Sequence, residues 1–206
     1  MKANDSLKSI ERRAYRATFK DGIYDITFGL AFLILAWIPV LESLGISRFI
    51  GYFLFLIPIL IPWPAKRFIT LPRLGLVEFG PKRKARKHVL LWILAVVILA
   101  TLPLYVMMVA KGASDGQTWL LTAALILPIA AIAVFIMDFP RIYLYAAVLA
   151  MGIVESEFLI AYVGTPLNAI LSFGLPGILI LILGLSLLVR FLTDYPRPVP
   201  EANHAG

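Results

Sequence analysis

Apolar residues dominate this chain in long blocks, and short polar stretches separate the blocks. The blocks run over about 22–41, 46–64, 88–110, 118–137, 142–162 and 167–191. Most hold close to the ~20 residues that a helix needs to cross a hydrocarbon core of ~30 Å. The pattern predicts an all-α integral membrane protein with six transmembrane helices in three hairpins. Glu42 to Gly45, Lys111 to Gln117, Asp138 to Arg141 and Gly164 to Pro166 are too short for anything but tight turns. Prolines fall inside the blocks at Pro39, Pro103, Pro128 and Pro176, and each predicts a kink, sharpest at Pro176-Gly177. Pro58, Pro62 and Pro64 crowd the end of the second block and predict a broken exit there.

Three stretches fall outside this pattern. Residues 1–20 form a basic segment whose Leu7, Ile10, Ala14 and Ala17 recur at helical steps. It suits either an interfacial helix or a solvated tail. Residues 65–87 interrupt the apolar blocks with a basic loop. Within it Phe68 to Phe79 is too apolar for a free tether and predicts an extended or turn segment packed on the bundle. Residues 193–206 carry Pro196, Pro198 and Pro200 and predict a flexible tail.

Charge orients the threading. Of nineteen Lys and Arg residues, six lie in the N-terminal segment, eight in the 65–87 loop, and three more at Arg141, Arg190 and Arg197. With six spans these seventeen share one face, and only Arg48 and Lys111 lie on the other. The positive-inside rule then places both termini in the cytoplasm, and the expected location is a prokaryotic cytoplasmic membrane. The same placement accounts for a net charge of +7 without nucleic acid. The composition, 61% hydrophobic and 15% charged, matches a membrane bundle better than a soluble domain. The cytoplasmic face repeats an apolar-Pro-Arg triplet at Leu71-Pro72-Arg73, Phe139-Pro140-Arg141 and Tyr195-Pro196-Arg197. The triplet either marks three related hairpins or reflects proline ending helices where arginine belongs.

The chemistry is sparse. The chain has no cysteine and only two histidines, His88 and His204, so thiolate and histidine metal sites are not expected. No Walker A loop, GxSxG elbow or HExxH pair is present. We therefore expect no enzyme activity, no cofactor and no metal.

Carboxylates inside the blocks are the residues that need a reason. Asp21 is placed to cap the first helix. Asp25 shares a face with Gly22, Gly29 and Ala36, the small-residue face that should pack inward. Arg73 is the expected partner of Asp21 or Asp25 in a loop-to-helix ion pair. Glu155 and Glu157 are two residues apart, so they point to nearly opposite sides of one helix. Glu157 falls with Ala146, Ala150, Val154 and Ala161, and Glu155 with Leu144, Val148 and Met151. Asp25, Glu155 and Glu157 are the candidate lining of a polar cavity. Gly174, Gly177 and Gly184 on one flank of the last block predict close helix packing, or a broken helix that exposes carbonyls. Lys82, Arg83, Lys84, Arg86 and Lys87 are the candidate contact for anionic lipid at the cytoplasmic face.

These features predict a non-ATPase transport or solute-binding membrane subunit that uses buried carboxylates. The alternative is a structural or regulatory membrane partner that docks a protein, a second copy of itself or anionic lipid through its basic loop. In span count and length, though in no motif, the chain resembles small substrate-binding subunits of vitamin importers.

Overall fold

The computed structural model describes residues 19–74 and 139–197, with single helical positions at 89, 92, 96 and 107 between them. The third and fourth apolar blocks, the basic run 82–87, the N-terminal segment before Phe19 and the tail beyond Arg197 lie outside the described residues.

Helix α1 spans Ile23–Ser43 and stays continuous through Pro39. It ends in a turn around Gly45, which takes a φ of 78°. The chain returns as a segmented helical rod: α2 (Arg48–Leu54), α3 (Leu56–Leu60), α4 (Pro62–Ala65), a π-helical turn (Lys66–Thr70) and α5 (Leu71–Leu74). The junctions Phe55 and Ile61 keep right-handed helical dihedrals, so the pieces join end to end. Proline fits the first turn of a helix, where its missing N–H is not needed. Each proline here breaks the hydrogen-bond ladder and restarts it, and the rod continues.

The rod corrects two expectations. The second apolar block does not end at Pro64, and the supposed loop is helical from Lys66 to Leu74. Phe68 to Leu74 is therefore helix, where an extended or turn segment was predicted.

The second half begins with α6 (Arg141–Val163). Gly164, at φ 69°, turns the chain into α7 (Leu167–Ala169), a second π turn (Ile170–Gly174) and α8 (Leu175–Asp194). The irregularity expected at Pro176-Gly177 falls one turn earlier. Pro176 has no N–H to offer Ser172, four residues back, and the wide turn accommodates that loss. The freed Ser172 carbonyl lies against Gly152, where an added Cβ would sit 2.8 Å from it. The first π turn stands in the same relation to Pro72, and the carbonyl four residues before Pro72 is that of Phe68.

Helices α1 and α8 pack antiparallel along a stripe of small residues spaced by seven. A Cβ on Gly29 would meet the Leu181 backbone at 2.7 Å, one on Gly184 would meet Ile26 N at 2.6 Å, and one on Gly177 would meet Leu33 N at 3.0 Å. Gly22 lies against the Gly184 carbonyl with φ 71°, so it is held by both space and conformation. Close packing is thus the role of Gly177 and Gly184, and α8 is unbroken beyond Leu175. The core between α1, α6 and α8 is built on Phe32, Ala36, Tyr145, Ala150, Ile153, Phe173 and Ile180.

Among the described residues, three helices are long and apolar enough to cross a membrane: Ile23–Ser43, Arg141–Val163 and Leu167–Asp194. Only 28% of the most apolar stretch of the first is buried, and 22% of each of the others. Their outer faces carry Leu144, Met151, Phe158, Leu179, Ile182 and Val189 in the open. An apolar surface of that extent is what lipid covers and water does not. The second block is not among these spans because its prolines divide it into short helices.

The three apolar-Pro-Arg triplets occupy unlike places. Leu71-Pro72-Arg73 is inside the rod, Phe139-Pro140-Arg141 opens α6, and Tyr195-Pro196-Arg197 follows α8.

Candidate functional site

The described polar groups gather at the two ends of the bundle. One end holds the starts of α1 and α6 and the close of α8. It carries two fully buried carboxylates, Asp21 and Asp25, both 0% exposed.

Asp21 closes the first turn of α1: its Oδ1 accepts from Ile23 N at 3.2 Å. Its Oδ2 accepts from Thr70 Oγ1 at 2.6 Å and from Lys66 Nζ at 2.9 Å. Lys66 and Thr70 are four residues apart, so the rod presents both on one side. The ammonium of Lys66 also lies 4.6 Å from the centre of the Tyr24 ring and 5.3 Å from that of Phe19. Phe19 stacks in turn on Phe139 at 5.1 Å.

Asp25 lies one turn deeper, on the small-residue face of α1 as expected. Its Oδ2 accepts from Arg141 NH1 at 2.7 Å, and its Oδ1 accepts from the Tyr145 hydroxyl. Arg141 and Tyr145 are the i and i+4 residues of the first turn of α6. Tyr145 is buried at 1% exposure, and its ring packs on Phe28 at 5.0 Å. The Arg141 guanidinium is 30% exposed, with its inner edge on Asp25.

The cations that pair with the two aspartates are thus Lys66 and Arg141. Arg73, the expected partner, makes no ion pair with either. It lies beyond Thr70, and its NH1 donates back to the Ile69 carbonyl at 2.9 Å. The expectation failed because it placed Arg73 on a loop free to reach back. As part of a helix, Arg73 is carried past the carboxylates, while Lys66 and Thr70 come level with Asp21.

At the opposite end, α6 and α7 enclose a crevice of ≈ 110 Å³ lined by Ile153, Ser156, Glu157, Ile160, Asn168 and Phe173. Asn168 is 7% exposed. Its Nδ2 donates to the Ser156 carbonyl at 3.2 Å and to Ser156 Oγ at 2.9 Å. A carbonyl only accepts, so this contact fixes the amide orientation. Asn168 Oδ1 is left buried without a partner. Glu157 is half-buried on the crevice wall, and no ion pair involves it among the described residues. One turn after Asn168, Ser172 Oγ is also buried and unpartnered.

The three carboxylates proposed to share a cavity do not meet. Asp25 is consumed at one end of α6 and Glu157 stands near the other, some sixteen residues or ~24 Å along the helix. Glu155 is exposed on the outer face with Leu144 and Met151, the face expected for it. The buried face of α6 runs through Tyr145, Ala146, Ala150, Gly152 and Ile153, rotated slightly from the predicted small-residue face. Val154 is accordingly only half-buried.

Sequence reading passed over Lys66, Arg141, Tyr145, Ser156 and Asn168. Two signals were available. Arg141 stands at the start of an apolar block on the same predicted face as Asp25. Asn168 is a lone carboxamide in another apolar block, where an unpaired amide is costly.

No family model matches the chain, and no curated protein or solved structure is significantly similar to it. The class that the elements define is an all-helical protein with three helices able to cross a membrane.

Proposed function

We propose that the protein is a polytopic membrane subunit that binds a small cationic or hydrogen-bond-donating solute in the Glu157 crevice. It does so without ATP hydrolysis or covalent chemistry. The supporting observation is a crevice lined by both the Glu157 carboxylate and Asn168, whose Oδ1 is a buried acceptor with no partner among the described residues. An orphaned buried acceptor destabilises the fold by ~1–3 kcal/mol, which a ligand donor would offset. Asn168 Oδ1 and the two oxygens of Glu157 are acceptors, and the Ser156 hydroxyl, which accepts from Asn168 Nδ2, keeps its own O–H to donate. The crevice measures ≈ 110 Å³. Sites for drug-sized molecules run to ~300–1,000 Å³. The described lining therefore suits a monovalent cation or a small primary amine.

The wider frame of this proposal is the six-span, N-in/C-in threading read from charge. The three long described helices are compatible with it, and the one-sided distribution of Lys and Arg supports it. In this frame Asp21 and Asp25 lie at the cytoplasmic end and hold the bundle together, and Glu157 lies toward the outer face.

The test uses the purified full-length protein in lipid nanodiscs. Thermal unfolding is followed with sodium, potassium and methylammonium, at constant ionic strength set with choline. We expect one of the three to raise the midpoint, and Glu157→Gln and Asn168→Ala each to abolish that rise. If none of the three shifts the midpoint of the wild-type protein, the binding reading fails.

A second reading, a structural or regulatory membrane partner, is favoured by one observation. Both fully buried carboxylates are committed to ion pairs inside the chain, as expected for groups that stabilise architecture.

A further inference from the structure

The charged end of the bundle contains a second cavity, distinct from the Glu157 crevice. It measures ≈ 290 Å³ and is walled by Lys20, Arg141, Arg190, Asp194 and Tyr195, with Phe191 as its floor. Three cations face one carboxylate. Asp194 is engaged by Arg190 Nε at 3.6 Å, in a pair exposed on both sides that contributes little to stability.

Arg141 distinguishes this cavity from an ordinary basic surface. A guanidinium has five N–H donors. Among the described residues, one is used, by Asp25 at 2.7 Å. That bond, together with the Phe139 ring 5.5 Å from the guanidinium carbon, clamps the inner edge of the group. The group itself is 30% exposed and lines the cavity. Tyr145 holds the other oxygen of Asp25, so the carboxylate is itself fixed. The buried Asp25–Tyr145 pair thus aims a cation into the cavity. Lys20 stands at the entry to α1 with its ammonium unpaired among the described residues. Arg190 projects from the last turns of α8, 80% exposed.

We propose that this cavity binds a phosphate group, presented by an anionic phospholipid headgroup. A planar guanidinium with two flanking cations suits the several acceptor oxygens of a phosphate better than a single carboxylate. The place agrees with the chemistry. The cavity lies where three apolar helices end, at the depth of headgroups when those helices lie in a bilayer. Phe191 and Tyr195, with ring centres 5.0 Å apart, offer the amphipathic wall common at that level. This inference does not depend on the Glu157 crevice.

The test compares retention of phosphatidylglycerol and phosphatidylcholine by the full-length protein from mixed micelles, read by native mass spectrometry. We expect phosphatidylglycerol to be retained preferentially. The double variant K20Q/R190Q removes two cations that lie outside the buried network and should still fold. At ~1 kcal/mol per charge it should lose about thirty-fold in retention. The control variant R67Q/R73Q removes two cations of the rod that do not line the cavity and should keep wild-type retention. Displacement of the lipid by millimolar glycerol phosphate would show that the phosphate ester alone suffices and would identify a soluble ligand as a source. Equal retention of the two lipids would overturn the proposal. So would a loss in R67Q/R73Q equal to or greater than that in K20Q/R190Q, since binding would then be general attraction to a basic surface.

Discussion

Asp25 shows how one buried carboxylate organises its surroundings. It is 0% exposed, and both its oxygens are taken by donors from α6. Removing it leaves Arg141 with no counter-charge and Tyr145 with a stranded hydroxyl. Breaking a buried pair in this way costs ~3–5 kcal/mol. Arg141 is 30% exposed and can turn partly toward water, so Asp25→Ala should fall near the low end, about 3 kcal/mol. Thermal unfolding in a fixed detergent would measure it. Tyr145→Phe keeps the ring on Phe28 and removes only the hydrogen bond to a charged acceptor, so a loss of ~1.5–3 kcal/mol is expected. Arg73→Gln tests the discarded pairing. Because Arg73 makes no ion pair with Asp21 or Asp25, its loss should leave stability within ~0.5 kcal/mol, whereas Lys66→Gln should clearly lower it.

The contact between α1 and α8 depends on what is missing from the side chains. Gly29 and Gly184 let the backbones approach until an added Cβ would lie within 2.7 Å of the opposing main chain. No rotamer relieves a clash at Cβ, so the helices must separate. Gly184→Leu should destabilise by at least the ~1–3 kcal/mol typical of overpacking, and Gly45→Ala should be far milder. Gly45 has open space around it, and its cost is confined to its positive φ. Comparing the two by unfolding midpoint separates steric from conformational demand. The prolines act through hydrogen bonds instead. Pro72 frees the Phe68 carbonyl, which accepts from Arg197 NH2 at 3.4 Å and so ties the chain after α8 to the rod. Pro176 frees Ser172, and the missing side chain of Gly152 makes room for it.

The molecule as a whole is tied at its charged end by Lys66–Asp21, Arg141–Asp25 and Arg197–Phe68, whereas the Glu157 end has an orphaned amide and an open crevice. A bundle tied at one end and loosely satisfied at the other would open first at the second. The proposed threading has a direct check, because the chain has no cysteine. Single cysteines introduced as S47C and T193C should differ in labelling by a membrane-impermeant maleimide added to intact cells. S47C, in the turn between α1 and the rod, should label, and T193C, at the end of α8, should be protected. The reverse result, or labelling of both, would refute the N-in/C-in arrangement.

The helices at Ile23, Arg141 and Leu167 were legible to within a few residues, because a span needs only length and apolarity and both are local properties. So was the inward face of Asp25, which follows from helical phase; Asp21 accepts from Ile23 N but stands one residue before the N-cap position, which Gly22 holds, and Glu155, expected to line a cavity, is exposed instead. The rod was misread, because proline signals a break in the hydrogen-bond ladder but does not say whether the chain continues helical beyond it. The partners of the aspartates were also misread. Lys66 lies 45 residues from Asp21 and Arg141 116 residues from Asp25, and no local pattern links positions that far apart. The sequence alone determined which segments can span a bilayer and which carboxylates need an explanation. Only the tertiary structure decided which cation meets which carboxylate, because that choice depends on how whole helices pack and at what register.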